Sequence, residues 1–192
     1  MSVLAVKHNT YNASLLVIES NRGQQFTVKY HSPKHGLQSF FIQLPPMRVA
    51  YNVVPYNGSY SISLSFDETV SSFHQAMVET DRKIIDSITA DWLHMPKMPS
   101  EEVVLSKYKP IVKQKDEAFA PTISIKLDFT KCKCDGITPQ NVTHRLQKGV
   151  FVEGLISPYF WSNTQFGIGL AWIAKSIQVV NAPTPTIISE DD

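Results

Sequence analysis

At 192 residues the chain is long enough for one generous core and too short for a two-domain enzyme with a cleft between its halves. Hydrophobic residues make up 43%, charged residues 18%, and the net charge is +1, which excludes a disordered chain, a coiled coil and a histone-like polycation. No apolar run approaches the ~20 residues of a bilayer span, and Met1-Ser2-Val3-Leu4-Ala5-Val6-Lys7 lacks the basic start and apolar stretch of a secretory leader. An intracellular, non-secreted protein with no membrane partner is therefore expected.

From Ser14 to Pro55 short apolar or aromatic runs alternate with turn residues: Leu15-Leu16-Val17-Ile18, Asn21-Arg22-Gly23, Phe26-Thr27-Val28-Lys29-Tyr30, then Ser32-Pro33-Lys34-His35-Gly36. This is the pattern of successive hairpins. Phe40 to Leu44 reads as a strand stopped by Pro45-Pro46, Met47 to Val54 as another, and Asn57-Gly58 as a tight turn. Tyr60, Ile62, Leu64 and Phe66 then alternate with Ser59, Ser61, Ser63 and Ser65, the signature of a half-buried strand. At Asp67, a plausible N-cap, the period changes to about 3.6 residues. Val70, Phe73, Met77, Ile84, Ile85, Ile88 and Trp92 fall on one face of a long helix over about 67–95, with Glu68, Glu79, Asp81, Asp86 and Asp91 on the other, and Pro96 and Pro99 end it.

Glu101 to Tyr108 suits a short helical turn, and Ile123, Ile125, Leu127 and Phe129 form a second amphipathic strand whose outer face carries Lys126. Val150 to Ile156 is a further strand. Phe166 to Val180 is an extended element in which Gly167 and Gly169 suit a bulge or tight bend, and Trp172 falls on its inward face. With no βαβ alternation, these pieces fit a small antiparallel barrel with an inserted helix.

No phosphate loop, dinucleotide glycine signature, Gly-x-Ser-x-Gly elbow or His-Glu-x-x-His is present, so an enzyme is not expected. Cys132 and Cys134 are too close to close a useful loop, and with His144 they supply fewer ligands than a structural zinc site takes. No metal is expected. The charge is segregated along the chain: residues 103–148 hold nine Lys/Arg against four acids, whereas residues 67–102 hold three against eight. Within the basic block the cations are interleaved with rings: Lys107, Tyr108, Lys109, Lys113, Lys115, Phe119, Lys126, Lys131, Lys133, Arg145 and Lys148, with Tyr159-Phe160-Trp161 beyond them. Neighbours on an extended chain point to opposite faces, so these three rings cannot all enter one core. Cations beside exposed rings are what a polyphosphate with stackable bases requires.

The order of elements resembles a known family. An amphipathic strand over 60–66, a long helix, the Tyr108-Lys109-Pro110 element and the Lys-bearing strand over 123–129 come in succession. Leu155-Ile156-Ser157-Pro158-Tyr159-Phe160-Trp161-Ser162-Asn163-Thr164, with Phe166-Gly167-Ile168 and Ser176-Ile177-Gln178-Val179, resembles the final hairpin of viral replicative single-stranded-DNA-binding proteins, of the podophage type and from nucleocytoplasmic large DNA viruses. The resemblance runs over residues 55–180 or so.

That resemblance implies a mainly β fold, an OB-fold-like antiparallel barrel with one long inserted helix and extra N-terminal strands over 1–54. Residues 1–182 would be a single nucleic-acid-binding domain, and 183–192 a short acidic tail. It implies sequence-independent binding of single-stranded DNA in viral DNA replication, recombination and repair, with no cofactor. Replication proteins are the implied partners, a monomer and a homodimer are both compatible with the role, and the setting is the host cytoplasm or nucleus where viral DNA is copied. On the matching positions, Tyr159, Phe160, Trp161, Lys107, Lys109 and Lys126 would contact the strand. The phage members carry a long acidic tail ending in an aromatic residue, whereas this sequence ends in Ser189-Glu190-Asp191-Asp192. Two other readings stay open: a viral structural or assembly protein that uses exposed aromatics for protein contacts, and an RNA-binding barrel of the same type.

Overall fold

The computed structural model of the chain describes residues 3–21, 25–55 and 58–183. The turns expected at Asn21-Arg22-Gly23 and Asn57-Gly58 lie partly outside those residues, as does nearly all of the acidic tail. The N-terminal third supplies β1 (Leu4–Lys7), β2 (Leu16–Asn21), β3 (Gln25–Ser32), β4 (Gly36–Gln38) and β5 (Phe40–Val49). The middle supplies β6 (Tyr60–Ser65), α1 (Ser71–Ser87), α2 (Glu101–Lys107), β7 (Tyr108–Lys109), β8 (Val112–Lys113) and β9 (Thr122–Leu127). The C-terminal third supplies β10 (Lys133–Cys134), α3 (Val142–Arg145), β11 (Phe151–Asn163) and β12 (Gly167–Val180).

Five of these strands close a ring. β5 pairs with β6 and β11, β6 with β9, β9 with β12, and β12 with β11. The fold is mainly β, an OB-type barrel with one long helix. The expected all-antiparallel barrel is corrected to a mixed one, because a ring with an odd number of strands cannot alternate direction at every seam. The parallel seam falls between β9 and β12, where Trp172 lies beside Ile125. Inward alternation buries Ile62 and Leu64 of β6, Ile123 and Ile125 of β9, and Trp172 and Ala174 of β12.

Phe40–Val49, which falls in the stretch read as an N-terminal extension, is one of the ring strands. Pro45-Pro46 does not stop it. The register against β11 slips between Val152 and Gly154, so the two prolines sit at a bulge where the ladder has no need of their missing N–H groups. β1 adds to the edge of β5 in parallel, and the remaining N-terminal strands form a meander, β2-β3-β4, outside the barrel. Phe26 of β3 fastens it, with its ring 4.6 Å from Phe160 and 5.5 Å from Trp92.

Asp67 caps as expected, its carboxylate accepting from the Thr69 N–H, but the element it opens is a single 3-10 turn over Glu68–Val70. α1 then runs from Ser71 and stops at Ser87, short of the expected end near 95. Ile88 is extended (ψ 133°), and Asp91–Leu93 forms a separate 3-10 turn closed by His94 at φ 57°. Trp92 is still buried, but it is delivered from that turn and not from the helix.

Candidate nucleic-acid interface

The serine side of β6 becomes the floor of a groove on the outside of the barrel. Ser61 and Ser63 stand opposite Lys126 and Ser124 of β9, and Lys126 stands beside Ile173 of β12. On the far side, Ala171 and Gly169 of β12 face Tyr159 and Trp161 of β11. Small side chains keep this floor low, so the two rings stand above it as a wall.

The opposite wall is a strap made of β7, Pro110 and β8. Tyr108 and Lys109 lie alongside Ile168 and Gly169 of β12, and Lys113 pairs with Thr122 of β9. Glycine is required where strap and barrel meet. A Cβ on Gly169 would lie 2.9 Å from the Lys109 carbonyl oxygen and 3.2 Å from the Trp161 ring. At Gly167, where φ is 102°, a Cβ would come within 2.1 Å of the Lys107 carbonyl oxygen. The glycines read as bend formers are thus sites of close approach inside a continuous strand.

A buried carboxylate on α1 holds the strap. Asp81 Oδ1 accepts from the Tyr108 hydroxyl at 2.5 Å and from the Ile111 N–H at 2.8 Å, and Oδ2 accepts from the Val112 N–H at 3.2 Å. Burial lifts the Asp81 carboxyl above its ordinary value, against the lowering effect of those three donors. The Tyr108 hydroxyl is pushed up by burial and by the Asp81 charge.

Lys109, Lys113, Lys126 and Trp161 therefore converge on one hollow of about 210 Å³, completed by Pro110, Ser124 and an edge of Trp172. No acidic side chain among the described residues lines it. Trp172 is only 1% exposed, and its indole N–H has no partner among the described residues.

The remaining sequence candidates are dispersed. Tyr159 projects from the same face as Trp161 and is 53% exposed. Lys131 borders a second hollow that shares Lys126, and its ammonium lies 3.4 Å from Asp128. Lys133 borders a different hollow beside Asp135 and Glu153. Lys107, Lys115, Arg145 and Lys148 are exposed outside all three hollows. Tyr108 and Phe160 are corrections: at 5% and 3% exposure neither offers a face to a base. Strand alternation turns Phe160 inward onto Phe26 and Trp92 while it turns Tyr159 and Trp161 out, and the Asp81 bond draws Tyr108 in.

Sequence reasoning missed Asp81, which it placed on the exposed side of the helix. The signal was available, since Asp81 follows Met77 by four residues and precedes Ile84 by three, on the buried stripe. Among the described residues no three metal-ligating side chains come together, and no helix is long and apolar enough to cross a membrane. Cys132 and Cys134 are free thiols, both pushed up by burial.

These features define a mainly β chain built on an OB-type barrel, with a lysine-lined, aromatic-walled groove on its outer face. No family model and no curated protein sequence matches it. Among solved structures it is similar to the single-stranded DNA-binding protein from bacteriophage Enc34, at 16% identity over 92% of this chain and 96% of that one, with a TM-score of 0.49. The same phage protein solved in complex with single-stranded DNA is similar at 14% identity over 88% and 97% of the two chains, with a TM-score of 0.48. Bacteriophage T7 gp2.5, a single-stranded DNA-binding protein, is similar at 9% identity over 79% and 98%, with a TM-score of 0.49.

Proposed function

We propose that the chain binds single-stranded DNA with little dependence on sequence, as a non-enzymatic strand-coating protein in viral DNA replication, recombination and repair. The observation that carries this reading is the convergence of Lys109, Lys113, Lys126 and Trp161 on one groove that no acidic side chain among the described residues lines. Lysine ammoniums on flexible stems act as point charges for phosphates, and an indole face accepts any base. Neither reads the edge of a base pair, so weak sequence preference results from the donor set itself. The hollow admits one splayed-out base beside Trp161, which a duplex, with its bases paired and stacked inside, does not present. Tyr159, exposed on the same strand face as Trp161, extends this path.

Trp92 and Trp172 are buried, whereas Trp161 is partly exposed, so base stacking is expected to quench the emission of Trp161 above all. Titration with oligothymidine should quench strongly and the matching duplex weakly. Three to four phosphate contacts should give a log–log salt slope of roughly −2 to −3, at about −0.7 per contact. Trp161→Ala should lose the quenching and weaken binding about tenfold, since a stacked base contributes ~1–3 kcal/mol, with the melting temperature nearly unchanged. Equal affinity for duplex, or full affinity in the Trp161→Ala protein, would overturn the proposal.

A further inference from the structure

The second hollow, of about 910 Å³, is larger than the one beside Trp161 and abuts it through Lys126, which lines both. We infer that it is a second nucleotide subsite, holding a base against Tyr60 and Phe129 while Lys126 and Lys175 take the adjoining phosphates. The inference rests on the single-strand reading and extends the path of the same strand.

Its chemistry is divided in the way a nucleotide is. Tyr60 and Phe129 meet edge to face with ring centres 5.3 Å apart, and with Ile173 and Pro139 they form an apolar wall. Lys126, Lys131 and Lys175 line the same hollow and supply its cations. Lys175 is the extra residue of a bulge in β12, because Leu155 pairs with Ser176 and Ile156 with Ala174, leaving Lys175 unmatched. A bulge re-aims the side chain it carries, and this one borders the hollow.

The acid on the rim, Asp128, is already engaged. It accepts from the Thr130 N–H at 3.1 Å and the Thr130 hydroxyl at 2.5 Å, and it lies 3.4 Å from the Lys131 ammonium. Among the described residues neither Lys126 nor Lys175 is ion-paired, so the hollow keeps a net positive charge. Along β12, from Gly169 beneath Trp161 to Lys175, the chain advances about 20 Å at ~3.3 Å per residue. That separation suits adjacent segments of one strand, towards the short end of the ~4–16 nucleotides an OB barrel occupies.

The test is photocrosslinking of the full chain to a 12-mer oligothymidine in which alternate thymines are replaced by 5-iodouracil. Adducts are expected both at Trp161 and at Tyr60 or Phe129. Adducts at Trp161 alone would overturn the second subsite and leave the single-strand reading standing, whereas the absence of adducts anywhere would remove both. In parallel, Lys175→Gln should weaken binding of plain oligothymidine about fivefold and make the salt slope shallower by about 0.7, with the Trp161 adduct retained. Unchanged affinity and slope in a folded Lys175→Gln protein would equally overturn the assignment. Phe129→Leu, which removes the ring but keeps an apolar side chain, should lose the second adduct alone.

Discussion

Two histidines sit against phenylalanine rings at the margin of the core. The His8 ring meets Phe73 edge-on at 6.3 Å, and His74 lies 4.8 Å from Phe66. Burial lowers both below the ordinary 6.5, although for His8 a backbone hydrogen bond with Gln43 works the other way. As pH falls, the unfolded chain takes up these protons first, so the stability these residues contribute is complete above pH 6.5 or so and is lost as pH drops through their lower folded values. Urea midpoints should therefore be flat from about pH 8 to 7 and fall towards pH 5, and a His8→Gln/His74→Gln protein should show a shallower fall over the same range. At this scale the alternation of Tyr159-Phe160-Trp161 was legible in the sequence, but which ring turned inward was not. The choice depends on Phe26 and Trp92, which arrive at Phe160 from other elements.

α1 holds the strap from behind, through Asp81, while short ladders to β12 and β9 hold its edges. Asp81→Ala would leave the Tyr108 hydroxyl and the Ile111 and Val112 N–H groups without their acceptor, a loss of about 3 kcal/mol once partial rehydration is allowed for. Chemical denaturation should show that loss. Binding of oligothymidine should fall as well, since Lys109 and Lys113 are carried by the released segment, and Asp81→Asn, which keeps one acceptor oxygen, should be intermediate on both measures. Short elements with clean alternation, such as Tyr60–Ser65 and Thr122–Leu127, were recognisable from sequence because one strand face alone determines them. The run of β5 through Pro45-Pro46 and the early stop of α1 were not. The first depends on a bulge shared with β11, and the second on a 3-10 turn shaped by packing against Phe160.

Across the whole molecule the buried apolar residues form one continuous cluster, from Tyr11, Leu16 and Tyr30 in the N-terminal third to Trp172 and Ile177 at the end of the barrel. Meander and barrel should therefore unfold together, with far-ultraviolet circular dichroism and tryptophan emission giving coincident denaturation curves. Phe26→Ala, at the junction, should lower stability by about 2 kcal/mol without separating the two curves. The sequence made the strands legible one at a time but not the closed ring, since each seam joins residues far apart in the chain and carries no local pattern. The ring also orders events at the ribosome. β12 bonds with β11, β9, β7 and β10, so no barrel can close until Gly167–Val180 has emerged. At roughly 5–20 residues per second, the nascent chain waits with the edges of β9 and β11 bare. A message broken before the codon for Gly167 would thus yield an aggregating fragment and not a weak binder.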